Sequence, residues 1–510
     1  MEILRRFSRF ASFAPQNDML HIGVIMSVMV RKITLFLLLC LAAGVSCVPA
    51  PRSAREPLPA LLARIEPLVV ENRFEEAVVA LEAAAQAYPQ AARPFIRMGQ
   101  LYLIQQRWLL AEDAFNRALA RDLDNPLALA GLAEALFNQN RLGEALNVWQ
   151  KVVSLQPQLP GAFTGLGRTQ LQLFHFDEAS EAFLKQQTVR IDPEAHWYLA
   201  ALTAPRDLAA ALEYLNAIPA KTTDSERPSY QALLARRDYL LSALEPFTPE
   251  SSQAEVAKGT GIALTQAQLW PLAVVALTIA HEQSQSPVEQ AEIMAFLGHA
   301  LAQSGRPALD LLQEAHALDP TSAWPLYFEG LYLRDQGALG AAEMLFREAI
   351  TLDPDNAAIY VELAQIKFAQ GALSEAETLL VTAVEVAGGE VQFQLILAEF
   401  YASRGYRLIE AGIPTVEAII ETDEQNAAAH DLLGWMQFLA GAGDQGQAAL
   451  RHALELESEL VSAHYHYARF LEADGQQDQA RAEYEWVIER DTGGVFRPQA
   501  WQGLQRLSEE

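Results

Sequence analysis

The sequence predicts an all-α fold, an α-solenoid in which antiparallel helical hairpins stack one upon the next. Three observations predict it. Small and large apolar residues recur in the same order at a period of about 34 residues. The chain is 510 residues long and 51% hydrophobic, too long for one ordinary core yet apolar enough to bury an extended interior. Its two cysteines, Cys40 and Cys47, both lie near the start, so the body has neither a disulfide framework nor a thiolate metal site.

The opening stretch reads as a targeting segment. Arg31 and Lys32 form a short positive region, and the run from Ile33 to Gly44, ITLFLLLCLAAG, is apolar and uncharged. Small residues and Cys47 follow, the layout of a secretory signal peptide, and the run is too short for a comfortable membrane span. Met26 or Met29 is the expected start of translation, because the residues before them are long for such a segment. Gly44-Val45-Ser46-Cys47 resembles a bacterial lipoprotein box, which implies a lipidated Cys47 as the first mature residue. Gly44 departs from the branched or leucine side chain usual there, so ordinary cleavage among the small residues stays open. Residues 48–59, VPAPRSAREPLP, read as an extended tether.

From about Pro57 to Gly494 the body repeats itself. One window places Phe95, Met98, Gly99 and Tyr102 on a first helix and Ala111, Phe115 and Ala118 on a second. The next has Leu129, Leu132, Ala133 and Leu136, then Ala145, Trp149, Val152 and Pro157. Phe163, Leu166 and Gly167 precede Ala179 and Phe183. Further on, Gly330 and Leu333 precede Ala342, Phe346, Ala349 and Pro354, and Tyr360, Leu363 and Ala364 precede Ala376, Leu380 and Ala383. Tyr467, Ala468 and Leu471 precede Ala480, Tyr484 and Val487. The small slots let two helices approach closely, the large slots fill the space between them, and the late proline ends the second helix. Weaker windows fill the gaps, and residues 391–426 are helical but off register.

These slots resemble the tetratricopeptide repeat family over most of the chain. The resemblance implies a right-handed superhelix of hairpins. The expected organisation is a targeting segment 1–47, a tether 48–59, an N-terminal array 60–217, an irregular joint 218–253, a C-terminal array 254–494 and a capping helix 495–510. The joint is expected because the phase is lost there amid KTTDSERPS and PFTPESSQ, with helix around Gln231 to Ala243. Trp501, Leu504 and Leu507 are spaced to cover the final hairpin, as a solenoid end requires.

Chemistry is harder to find. Gly441-Ala442-Gly443-Asp444-Gln445-Gly446 spells a dinucleotide-binding fingerprint, but it follows a helix rather than a strand. A tight turn explains it, with Gly446 in a small slot of the repeat. His464 and His466 point to different faces of one helix, His430 shares the slot of His464, and His281-Glu282 lacks a second histidine. They read as packing residues. No phosphate loop or nucleophile elbow is present. No catalytic residue, metal or cofactor is therefore expected. The net charge of −27 repels phosphate backbones and anionic lipid headgroups. Nucleic acid is thus excluded as a partner, and membrane contact is expected only through the N-terminal segment or its lipid.

In the family this chain resembles, the first helix of each hairpin lines a concave groove. Carried over slot by slot, the resemblance implies a partner-binding groove at Trp324, Tyr327, Arg334, Phe368, Trp435, Phe438, Tyr465 and Arg469. Val361, Gln365, Leu395, Glu399 and Asp431 lie among them. Rings interspersed with satisfiable polar groups suit protein and peptide interfaces. The N-terminal array looks plainer, with Arg93, Ile96, Gln100, Glu134 and Arg168. The Lys/Asn clamp of some relatives for a terminal carboxylate is absent. The expected function is a non-catalytic protein-interaction scaffold of the bacterial cell envelope, exported and either lipid-anchored or secreted. The alternatives are a substrate-selecting regulatory subunit of an envelope enzyme complex, or a cytoplasmic scaffold if the N-terminus is misread.

Overall fold

A computed structural model describes residues 56–221, 228–248, 250–491 and 494–509. Cys47, the targeting segment and most of the tether lie outside the described residues. Among the described residues the regular structure is helical throughout, and no helix is long and apolar enough to cross a membrane. Two compact units are present, one ending at Leu101 and the other running from Tyr102 onward. The first contains the hairpin Leu58–Val70 and Phe74–Ala87, closed over buried Ile65, Ala77, Leu81 and Ala84. Arg97 pairs with Glu66, and the Tyr88 hydroxyl donates to the Glu56 carbonyl at 2.6 Å.

Within the second unit each hairpin turns in the same way. A first helix such as Pro126–Asn138 ends with Asn140 in the left-handed region. The Arg141 N–H then reaches back to the Leu136 carbonyl at 2.9 Å, and Asn140 N–H to Phe137 at 2.9 Å. This is the helix stop that satisfies the last carbonyls of a helix. Left-handed residues recur at Gln106, Asn140 and Phe174, and again at Gly337, Gly371 and Gly405, always 34 apart. From Gly405 to Gly441 the spacing is 36. The two additional residues are absorbed by a π turn, Leu408–Gly412, before the second helix Ile413–Thr422. That is why residues 391–426 read as helical but out of phase.

The repeat slots form the core. Ala111, Ala145, Ala179, Ala342, Ala376 and Ala480 are fully buried, and so are the rings of Phe115, Phe183, Phe346 and Tyr484. One crossing is closer than the others. A Cβ on Gly446 would lie 2.8 Å from the Gly434 carbonyl oxygen and 3.0 Å from the Phe438 nitrogen, both backbone. The fingerprint-like glycines therefore serve a turn at Gly441 and a helix crossing at Gly446.

Residues 218–253 hold the helix Pro228–Leu244. Its Leu233, Leu240 and Leu244, with Ile218, are buried in a cluster that runs from Leu171 to Ile366. The apolar core is thus continuous through the stretch where the repeat phase is lost. The helix Trp270–Gln283 lies at its centre. Every residue from Pro271 to Leu277 is buried, as expected of a helix that is apolar all round. Besides its hairpin partner Gln253–Gln266 and the following Pro287–Gln303, it touches Ala162–Gln172 and Pro193–Thr203. Nearby, the Arg306 guanidinium lies 4.4 Å from the Phe174 ring centroid. At this place hairpins far apart in sequence meet.

The last helix, Arg497–Glu509, seats Ala500 and Leu507 on the preceding hairpin, while Leu504 is partly buried. Trp501 remains 53% exposed. It does not share in the covering, because Gly503, whose absent side chain leaves room for the Tyr484 ring, sits on the contacting face instead.

Candidate partner-binding face

In the C-terminal hairpins the first helices touch one another directly. Pro287–Gln303 meets Ala323–Asp335, Val391–Arg404 meets Ala427–Leu439, and the latter meets Val461–Ala473. Successive second helices have no comparable contact. The first helices therefore form a closely spaced wall, and side chains leaving it crowd one another.

Trp324 and Tyr327 are half-buried in a nest of rings. Trp324 stacks on Phe328 at 5.6 Å and leans on Phe296 at 5.1 Å. Phe328 stacks in turn on His299 at 4.5 Å, and His299 meets Trp270 edge-on at 5.4 Å. Burial holds the His299 pKa down to about 4, so this imidazole is neutral near pH 7. Burial, followed by the Glu362 carboxylate, pushes the Tyr327 hydroxyl up. Arg334 pairs with Glu362 and with Asp335 at 2.9 Å.

Phe368 meets Phe400 at 5.8 Å, with the Arg404 guanidinium 4.9 Å from its centroid. Trp435 lies flat on His466, centroids 4.6 Å apart and planes 13° apart, and is 5.5 Å from Phe438. His466 Nδ1 is 2.7 Å from Asp431 Oδ1, and both residues are buried. A buried carboxylate needs such a partner, so Trp435 roofs a polar pair as well as facing outward. Phe438 also meets Phe470 at 5.7 Å.

Tyr465 is only 8% exposed, packed against Phe496 at 5.1 Å, and its hydroxyl accepts from Arg469 at 3.2 Å. The other seven expected groove residues are half-buried. They form three groups: Trp324, Tyr327 and Arg334; Phe368; and Trp435, Phe438 and Arg469, joined by Tyr465. Phe296, Phe328 and His299 were missed by sequence reasoning, while His466, expected to pack, does so beneath Trp435. Phe296 and Phe328 stand close to one repeat length apart, and that recurrence was the available signal.

Charges near the wall are mostly matched. Lys367 is buried and pairs with Glu343 at 2.6 Å. The hydrogen bond from Lys367, aided by those from Gln370 and Arg347, outweighs burial and holds Glu343 at about 2. A carboxyl depressed in the folded state stabilises the fold above its ordinary pKa, and the contribution is lost as pH falls toward the folded value. Melting temperature is thus expected to decline between about pH 4.5 and 2, and Glu343→Gln should remove part of that slope. Parallel melting curves for the two proteins would refute the assignment.

The earlier hairpins carry a polar node of their own. Arg168 reaches Glu134 at 3.3 Å and Glu194 at 3.7 Å and lies 4.7 Å from the Phe137 centroid. Burial raises the Glu194 pKa. Arg236 covers Trp197 at 5.0 Å. The histidines sort into packing contacts: His464 stacks on Trp486 and bonds Glu483 at 2.5 Å, while His430 meets His452 edge-on at 4.6 Å. Among the described residues no group of three or more His, Cys, Asp or Glu is placed to hold a metal ion.

A family profile described as tetratricopeptide repeat matches residues 96–160, and a second with the same description matches 333–400. Cellulose synthase operon protein C from Xanthomonas axonopodis pv. citri (strain 306) is 25% identical over 436 residues, 78% of this chain and 28% of that protein. Protein CTR9 homolog from Arabidopsis thaliana is 29% identical over 133 residues, 26% of this chain and 12% of that one. The chain therefore spans less than a third of either relative. Among solved structures, yeast Tom70 aligns over 89% of this chain and 95% of its own, with a TM-score of 0.39 and 13% identity. A tetratricopeptide repeat protein from Parabacteroides merdae covers 54% of this chain and 100% of its own, at TM-score 0.40 and 12% identity.

Proposed function

This chain belongs to the tetratricopeptide repeat family, and we propose that it is a non-catalytic scaffold of the bacterial cell envelope that binds segments of protein partners along its first helices. One observation carries the binding mode. Contacting first helices of the C-terminal hairpins bear a succession of half-buried rings, Trp324, Tyr327, Phe368, Trp435 and Phe438, each with apolar area left to cover.

The test is Trp435→Ala. Truncating an interface anchor typically costs a complex about 2 kcal/mol, roughly thirtyfold in affinity. Capture of partners from an envelope extract should fall accordingly. Because the ring also roofs His466, melting should drop modestly. A drop as large as that of a fully buried ring would make Trp435 a packing residue. Unchanged capture would move the binding surface elsewhere.

The envelope address rests on the sequence from Arg31 to Cys47. The protein should fractionate with the envelope, and Cys47→Ser should release it from the membrane fraction if the cysteine is lipidated. Unprocessed protein confined to the cytoplasm would overturn the address. Retention of the serine variant would overturn lipidation alone.

A second reading is favoured by the similarity to a protein named for a cellulose synthase operon, which extends over 78% of this chain. In that reading the chain is a substrate-selecting regulatory subunit of an envelope enzyme complex. Co-purification of a polysaccharide synthase with the mature chain would support it, and partners free of any such enzyme would count against it.

A further inference from the structure

Glu399 is the exception to the charge matching on this wall. Glu362 has Arg334 and Glu472 has Arg506 at 2.6 Å. The cations are similarly engaged: Lys367 by Glu343, Arg407 by Glu377, Arg404 over Phe368, and Arg469 with Tyr465. Glu399 stands exposed on Val391–Arg404, with neither a hydrogen bond nor an ion pair. The ionisable groups that act on it are the buried Asp431, which adds repulsion, and His466, which opposes it. Although its side chain reaches solvent, crowding by the surrounding protein, and then Asp431, raise its pKa. The Trp435 ring is part of the same neighbourhood through its stacking on His466.

We propose that an extended partner segment crosses Val391–Arg404, Ala427–Leu439 and Val461–Ala473 with a lysine or arginine seated at Glu399 beside Trp435 and apolar side chains on either flank. The inference rests on the scaffold reading above and names the chemistry of its partner. Charge complementarity selects the occupant. The wall's own cations are spent on its other carboxylates and rings, and the chain as a whole carries −27, so the cation that answers Glu399 must arrive from outside. The Trp435 ring is already stacked on His466, and the Arg469 guanidinium lies 5.9 Å from its centroid, so the incoming cation is held by the Glu399 carboxylate and the ring edge supplies apolar contact. Phe368 on one side and Phe438 on the other supply the apolar contact that a segment with hydrophobic flanks would bury.

The test is a selection of short random peptides, displayed on phage, against the full-length chain. The winners are then made synthetically and titrated by calorimetry. Enriched peptides should carry a lysine or arginine between apolar residues. Glu399→Gln should weaken them by about tenfold, Glu399→Lys by more, and added salt should weaken wild-type binding but not that of the glutamine variant. Both variants should melt as the wild type does, since the side chain is exposed and unpaired. Peptides without a cation, or binding that Glu399→Gln and Glu399→Lys leave unchanged, would overturn this inference while sparing the scaffold reading. Enrichment of no peptide of any composition would overturn both, as would self-association of the chain through this wall in place of peptide binding.

Discussion

Replacing Phe346 by alanine should cost about 3–5 kcal/mol. The ring has no exposure, and it fills the space left by Gly330, where a Cβ would come within 2.6 Å of it. Gly330 offers no side chain to refill the void, and the nearest ring, Tyr327, lies 6.1 Å away, centroid to centroid. Damage to a stacked-hairpin protein spreads through neighbours rather than everywhere at once. Amide exchange should therefore quicken in Ala323–Asp335, Leu339–Leu352 and Ala357–Ala369. Because Phe346 shares its buried cluster with Trp270–Gln283, a weaker effect should reach that helix. The helix Trp108–Leu119, which holds Ala111, should keep its protection. Uniform loss across all hairpins would refute stacked, locally coupled cores.

Gly446→Val should be nearly as damaging for the opposite reason. Added atoms would meet the Gly434 carbonyl and the Phe438 backbone, and backbone cannot rotate away as a side chain does. Overpacking of this kind typically costs about 1–3 kcal/mol, and here the two helices must also separate. Gly443→Ala is the control. It lies three residues earlier, and its Cβ would meet only the edge of Phe470 at 3.8 Å. That substitution should be neutral or slightly stabilising, since glycine within a helix is entropically unfavourable. Equal melting points for the two variants would show that the crossing is looser than described.

The repeat was legible because its slots are set by helix contact. Alanine at 111, 145, 179, 342, 376 and 480 faces another helix at close range, and only a small residue fits there. Residues 391–426 lost phase because a π turn consumes two residues that no composition marks. The core through 218–253 was hidden for another reason. Leu233, Leu240 and Leu244 meet helices distant in sequence, and periodicity reports only a helix's own neighbours. Trp270–Gln283 did carry a signal, since its apolar character all round asks for cover on every side. The face was legible in part: the slots named the rings, but Tyr465 lies beneath Phe496, a residue of the segment leading to the last helix. The repeat pattern ends before it.

Repeat proteins gain and lose whole units over time, and most joints between hairpins tolerate such a change because each unit meets only the next. The contact of Trp270–Gln283 with Ala162–Gln172 and Pro193–Thr203 makes one region an exception. A hairpin inserted or deleted between residues 189 and 270 would carry those helices out of reach of one another and strand an apolar surface in water. Copy number should therefore be free to drift among the hairpins beyond Ala323 and be held constant within this segment. The chain has a fixed middle, and its length can be edited only outside it.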